Sequence, residues 1–150
     1  MPAYEFRNAD SPPGGWRLAR RQWKFSVDGG EESTITMFTV TGTVFVQVFG
    51  VCQVAPVAAS GHPTMELGIA GNTAALIAQM ESDQILQYMT WQDATPEANP
   101  GAVNLTGRSF VITNGADIIL TLATAHVNTG TIDFYCLWAP LSSDGAITAA

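Results

Sequence analysis

The longest uncharged run of strand-forming residues covers residues 43–54, and it limits the fold more than any other part of the chain. The run reads TVFVQVFGVCQV, with β-branched and aromatic side chains in both alternating sets of positions. Because successive side chains of a strand point to opposite faces, both faces of this strand are expected to contact protein. Residues 33–40 form a second β-branched run, and Thr41-Gly42 is the expected tight connection between the two. The pattern predicts a pair of central strands in a sandwich or barrel.

The last third of the chain repeats the strand pattern with clearer turns. Residues 131–138 alternate two largely apolar sets of side chains, which is the most regular two-sided pattern in the sequence. Asn114-Gly115 is a strong turn dipeptide, and residues 128–130 provide a second turn. These signals predict an antiparallel meander here and an all-β fold for the chain.

Residues 72–89 fit two different structures. Their apolar side chains recur at helical spacing behind Asn72, which is a favourable N-cap residue. The same residues also fit two strands that are interrupted at Glu81-Ser82-Asp83. Spacing slightly favours the helix, and the residues by themselves leave the choice open.

Length and composition indicate one domain with an unusually uncharged surface. The chain has 150 residues, enough to bury a conventional core, and 47% of them are hydrophobic. Only 13% are charged, about half of the usual fraction in globular proteins. This favours a subunit whose surface is partly covered by copies of itself or by other partners, although a compact monomer also fits.

The net charge of −7 is unevenly distributed along the chain. Residues 1–28 contain five cations and three carboxylates, whereas residues 29–150 contain Arg108 against ten carboxylates. An acidic body disfavours nucleic-acid binding, which requires clustered cations. No run approaches the roughly 18 apolar residues of a membrane helix, and the first residues do not match a signal peptide. We therefore expect no nucleic-acid partner, no membrane partner, and synthesis in the cytoplasm.

Residues 1–28 are predicted to form an irregular N-terminal arm, and residues 29–150 the β-sandwich domain. The arm is rich in proline and glycine, which oppose regular structure, and in aromatic and arginine side chains, which are favoured in interfaces. An arm folded back on its own domain and an arm that reaches a neighbouring subunit both fit, and residues 23–27 also alternate like a first strand. The predicted partner-binding residues of the arm are Trp16, Arg17, Arg20, Arg21 and Trp23.

Side chains that could support catalysis or bind a metal are few and scattered. Neither His62 nor His126 has a metal-binding spacing, and no phosphate-binding or nucleophile motif is present. Glu81 and Asp83 are close in sequence, but an exposed turn explains them better than a pair of catalytic carboxylates. We therefore expect no catalytic residue, no bound metal and no cofactor.

The two cysteines each lie in an apolar run that reads as a strand. Buried, unreactive thiols are the expected state of Cys52 and Cys136, and a disulfide that bridges two strands is the alternative.

Three segments of the sequence resemble a family of small structural proteins of tailed bacteriophages. They are FTVTGTVFVQVFGVC at residues 38–52, ELGIAGNTAALIAQ at residues 66–79 and NTGTIDFYCLWAPLSSDG at residues 128–145. The resemblance spans about residues 33–148 and leaves the arm unmatched. It implies an antiparallel, jelly-roll-like β-sandwich that is part of a virion, and it favours strands over a helix in residues 72–91.

The resemblance implies a capsid decoration, or cement, protein that binds the major capsid protein or other virion subunits, commonly as a homotrimer. Shells of this kind are generally acidic outside, so the basic arm is the expected anchor. A tail or head fibre that binds a receptor is one alternative. A small carbohydrate-binding module or enzyme, using an exposed Trp91 and the loop of residues 92–107, is another.

Overall fold

The computed structural model describes residues 15–97, 102–105 and 108–150, which form two antiparallel sheets packed face to face. One short helix, α1 (Phe25–Asp28), and one 3-10 turn (Ser82–Gln84) interrupt the strands. The strands in this part of the chain are β1 (Arg17–Lys24), β2 (Ser33–Thr41), β3 (Val44–Val54), β4 (Thr64–Ile69), β5 (Asn72–Glu81), β6 (Thr90–Trp91), β7 (Phe110–Ile112), β8 (Ile118–Ala123), β9 (Thr131–Pro140) and β10 (Ala146–Ala149). No helix within these ranges is long and apolar enough to cross a bilayer.

The pairing of the strands is nested. Sheet A has the order β1-β9-β3-β6, with β7 also paired to β3, and sheet B has the order β10-β2-β8-β4-β5. Thus β1 pairs with β9, β2 with β8, β3 with β6 and β7, and β4 with β5, as in one long antiparallel hairpin wound into two layers. The predicted all-β antiparallel sandwich is confirmed.

The predicted local connections are wrong, because the strands that these turns join lie in opposite sheets. Thr41-Gly42 does not close a hairpin: it carries the chain from β2 in sheet B to β3 in sheet A. Strands β7 to β10 do not form a meander either, since β8 pairs with β2 and β4 while β9 pairs with β1 and β3. Turn residues therefore locate the reversals of the chain but not the partners of its strands.

Strand β3 is central, as its composition predicts, but only one of its faces is covered. Val44, Val46 and Val48 are buried in the core between the sheets. Phe45 and Phe49 alternate with them and are only partly buried. The second face that the sequence expects to contact protein therefore remains partly open in a single chain.

Residues 72–81 and 90–91 form strands, so the helical alternative is wrong, but residues 85–89 do not belong to the predicted second strand. Strand β5 pairs with β4 from one end to the other, and two register shifts let Leu76 and Ile77 both enter the core. The chain then makes the 3-10 turn and returns to sheet A through β6.

The irregular arm requires a correction from residue 17 onward. β1 pairs with β9 along its whole length, from Arg17 opposite Trp138 to Lys24 opposite Thr131, so the sandwich begins well before residue 29. Of the arm, residues 1–14 lie outside the described residues. The prolines and glycines that predict irregularity end at Gly15, and the cations that follow suit an edge strand because they oppose pairing with foreign strands.

Trp23 is part of the protein's own core. Its side chain is fully buried, and its Nε1 donates a hydrogen bond to the Gly29 carbonyl at 3.3 Å. A Cβ atom at Gly130 would lie 2.7 Å from the indole ring, so the glycine at this position makes room for it. The ring therefore fixes the end of β1 against the turn that precedes β9.

Replacing Trp23 with alanine is expected to lower the free energy of unfolding by about 3–5 kcal/mol, because a large buried ring leaves a cavity. The matched change Trp16→Ala is expected to cost about 1 kcal/mol, since that ring is half-buried and contributes mainly one aromatic contact. Urea unfolding followed by circular dichroism measures both. Equal losses for the two variants would contradict the core position of Trp23.

Candidate interaction surface

The side of sheet A that faces away from the core presents a broad layer of apolar and aromatic side chains. We call it the outer face of sheet A. The register between strands identifies its members, since each lies between two core-facing neighbours and opposite another outward residue. They are Leu18, Arg20, Gln22 and Lys24 on β1, Thr131, Asp133, Tyr135 and Leu137 on β9, Phe45, Gln47, Phe49 and Val51 on β3, and Val111 on β7.

Two aromatic pairs lie on this face. The rings of Phe49 and Tyr135 stack with their centroids 5.3 Å apart and an interplanar angle of 19°. Trp16, just before β1, contacts Phe45 with ring centroids 5.3 Å apart and an interplanar angle of 43°. Ala139 lies opposite Phe45 in β9 and carries only a methyl group. The rings of Trp16 and Phe45 can therefore contact each other above it. Such pairs preorganise large apolar side chains at a surface.

Cations line the β1 border of the face. The Arg20 guanidinium lies over the Tyr135 ring at 5.2 Å, and the Arg17 guanidinium lies over the Trp138 ring at 5.1 Å. Trp138 faces the core, so Arg17 covers the open rim of the sandwich rather than the outer face. The stacked rings hold both guanidinium groups in place while they stay exposed to solvent.

Arg21 points to the opposite side of β1, and its guanidinium is hydrogen-bonded within the chain. Its Nη2 donates to Asp28 Oδ1 at 2.9 Å, and its Nε donates to the Ala150 carbonyl at 2.9 Å. Its Nη1 contacts the Gln22 carbonyl and the Met37 sulfur. The Arg21 and Asp28 side chains are only 17% and 11% exposed, so this pair ties β1 to α1 and to the end of β10.

The five predicted partner-binding residues therefore separate into two groups. Trp16 and Arg20 lie on the outer face of sheet A, and Arg17 lies at its rim. Arg21 and Trp23 are engaged inside the sandwich and are not free to contact a partner in this conformation. The sequence pattern indicated these residues as one group but could not assign them to the two sides of a strand.

The outer side of sheet B has a different chemistry. Seven of its outward positions are threonines, with Ile119 among them opposite Thr36. Glu66, opposite Thr121, is only 9% exposed. The threonines are Thr34, Thr36, Thr39, Thr41, Thr64, Thr121 and Thr148. Within the part of the chain that the structure describes, the broad aromatic surface is therefore confined to sheet A.

Trp91, expected to be exposed, is fully buried and meets Phe134 edge-on with centroids 6.0 Å apart. The residue that was the main support for a carbohydrate-binding module is thus part of the core. A solvent-open hollow of about 600 Å³ lies beside α1 and includes Asp28 and His126. Asp28 is already bonded there to Arg21 and to the Lys24 amide, so its role is structural.

One group of possible metal ligands is brought together that the sequence analysis did not connect. His62 Nδ1 lies 3.7 Å from a carboxylate oxygen of Glu81 and 3.7 Å from one of Asp83. Imidazole and carboxylate are ligands that zinc accepts, but these side chains are 71%, 44% and 41% exposed and already solvated. Their contacts link the loop before β4 to the turn after β5. No sequence spacing relates His62 to the two acids, because the pairing of β4 with β5 brings them together.

The two cysteines are free and buried, and the alternative of a bridging disulfide is wrong. Cys136 lies opposite Val48 and Cys52 opposite Ile132, four residues further along β3. Four residues of a strand span about 13 Å, well beyond the reach of a disulfide. Burial raises the pKa of the Cys52 thiol from 9.0 to about 11 and that of the Cys136 thiol to about 12.

Replacing Arg21 with methionine is expected to lower the free energy of unfolding by about 2–3 kcal/mol at neutral pH, because the mostly buried Asp28 carboxylate loses its charged partner. The exposed Arg20→Met is the matched control, with an expected loss of about 0.5 kcal/mol. Adding Asp28→Asn to the Arg21 variant should recover part of the loss in urea unfolding. Equal effects of the two arginine changes would show that the Arg21 contacts are not structural.

Both native thiols are expected to resist a disulfide reagent such as DTNB at pH 8, because a raised pKa keeps them protonated and burial excludes the reagent. Both should react at once in guanidinium chloride. Single Cys→Ser variants assign each thiol. A thiol that reacts rapidly in the native protein would contradict its position between the sheets.

No protein-family model matches the chain, and no curated protein matches it. Solved structures with similarity include a chain in the acidic stable capsid of Helicobacter pylori bacteriophage KHP30, with 12% identity, 88% of this chain and 91% of that chain covered, and a TM-score of 0.45. A chain of the cyanophage Pam1 capsid asymmetric unit gives 13% identity, coverages of 93% and 100%, and a TM-score of 0.43. A chain of the disulfide-linked pili of Bacillus endospore appendages has 12% identity and a TM-score of 0.35, with 85% of this chain and 88% of that chain covered. With every TM-score below 0.5, these likenesses establish neither a common fold nor a role.

Proposed function

We propose that the chain is a non-enzymatic structural subunit of a tailed-phage virion, specifically a capsid decoration protein that binds the outside of the head. The observation that carries this proposal is the outer face of sheet A, a broad aromatic surface with a cationic border. The sequence resemblance to small virion proteins is the reason for proposing a virion as the assembly. The nested strand pairing supports the jelly-roll-like body that the resemblance implies.

The shape of this surface favours assembly over catalysis. Small-molecule sites are concave, and a few polar groups in them point toward the ligand. The outer face of sheet A instead follows a sheet and presents aromatic side chains with few charges, which is typical of the centre of a protein interface. Isolated apolar side chains are normal on a surface, but a contiguous layer of this kind marks a surface that another protein covers.

The shell contact is proposed to use the cationic border rather than the whole arm. Four of the six cations in the chain lie on β1, and Arg21 among them is neutralised by Asp28. Arg17 and Arg20 stay exposed on their rings beside Trp16. An acidic shell, such as the resemblance implies, would attract this border and repel the acidic remainder of the chain.

Cosedimentation with purified shells that lack the protein tests this function. The wild-type chain is expected to pellet with shells of the phage that encodes it, and added salt should weaken binding in part. Arg20→Glu should weaken binding about tenfold, because it reverses a charge at the proposed contact. Arg108→Glu is the matched control, since Arg108 is also an exposed arginine over a ring, that of Phe110.

Failure of the wild-type chain to pellet with shells would contradict a decoration role. Binding to host cells in the same preparation, without shell binding, would identify the fibre alternative instead. Equal loss of binding in the Arg20 and Arg108 variants would leave the β1 border without a specific part in the contact and would contradict that assignment.

A further inference from the structure

The centre of the outer face of sheet A is only partly covered within the described chain. On β9, β3 and β7 its outward side chains are largely apolar, and Val111 is still 55% exposed. The β1 border, with Leu18 at 55% exposure and its arginines, forms the rim of this area. The centre and the rim are distinct surfaces, so one can be covered while the other stays accessible.

We propose that the centre of this face binds the same face of a second copy of the chain, so that two sandwiches pack sheet against sheet about a two-fold axis. This inference rests on the proposed function, because it identifies what binds the outer face of sheet A, the surface on which that function is based. It differs from the homotrimer that the resemblance implies, since a trimer would have to place this face against a different surface of the next copy.

Shape and chemistry select the same face of another copy as the occupant. An apolar sheet face is well matched by a second apolar sheet face, as between the two sheets of a sandwich. Within the described residues, the comparable outer surface of sheet B is rich in threonine and has no aromatic layer. The matching surface is therefore found on another copy, at the same place.

Charge also restricts where two copies can meet. Each copy carries a net charge of −7, so most approaches place acidic surfaces together. On β1, β9 and β3 the outward side chains include one carboxylate, Asp133, and it accepts a hydrogen bond from Gln22 Nε2 at 2.8 Å. The centre of the face is therefore a place where two acidic chains can approach without bringing unpaired carboxylates together.

The size of the face predicts a weak but specific pair. With strands about 4.8 Å apart and outward residues about 6.7 Å apart along each strand, the centre on β9, β3 and β7 measures about 15 Å by 25 Å. Two copies would then bury on the order of 750 Å², which is the size of weak, transient interfaces. Association is expected only at high micromolar concentrations.

Sedimentation velocity of the full chain, without shells, tests the pair. A species of twice the chain mass should appear as the concentration rises through the micromolar range, and added salt should not weaken it because the contact is apolar and the copies repel each other. Phe49→Glu should raise the dissociation constant at least about tenfold. Val111→Glu, at an already exposed position, should act in the same direction if Phe49→Glu fails to fold.

Thr39→Glu is the matched control, because it adds the same charge at an exposed strand position on sheet B. It should leave the dissociation constant of the pair within about twofold, as its position lies outside the contact. A monomer at every concentration, a trimer, or equal weakening by Thr39→Glu would overturn the proposal. A monomer that still cosediments with shells would overturn the pair alone and leave the proposed function standing.

Discussion

The antiparallel pairing of β9 on both of its sides is the interaction on which the rest of the structure depends. β9 pairs with β1 along one edge and with β3 along the other. This register directs Ile132, Phe134, Cys136 and Trp138 into the core and Tyr135 and Leu137 away from it. Gly50 helps to fix it, because a Cβ atom there would lie 2.9 Å from the Ile132 side chain. A shift of one residue would exchange the two sets, bring Asp133 into the core and expose Ile132 and Phe134.

The same register builds the outer face of sheet A. Once the core-facing set is fixed, Phe45 and Phe49 must point outward beside Tyr135, although exposing apolar rings to water is unfavourable. A monomer under no other demand would be expected to place polar residues at these positions, as it does with the threonines of sheet B. The contrast between the two outer surfaces is therefore the physical basis for treating one of them as a surface for assembly.

The local periodicity of the sequence predicted the strands well and their partners poorly. The alternation in residues 43–54 and 131–138 is a property of neighbouring residues, and both segments are long strands. The nested pairing depends on contacts between distant segments, which turn residues do not report. Thus residues 128–130 mark a real reversal, yet the strands on either side of it lie in different sheets.

The candidate surface was predicted in part, for the same reason. Aromatic and basic residues near the N-terminus made β1 a candidate, but a strand has two sides and only pairing with β9 decides which is buried. Arg21 looks like Arg20 in the sequence, and its role follows from Asp28 and the Ala150 carbonyl, one of them 129 residues away. Trp23 and Trp91 were both expected at surfaces and are both core residues.

The central claim is that the outer face of sheet A is covered when the protein assembles. Hydroxyl-radical footprinting read by mass spectrometry tests it directly, because Tyr135 lies on this face while His62, in the loop before β4 of sheet B, has a side chain 71% exposed and serves as an internal reference. The account predicts that oxidation of Tyr135 and Phe49 falls between dilute and assembled protein while oxidation of His62 stays constant. Unchanged oxidation of Tyr135 and Phe49 in the assembled protein would contradict it.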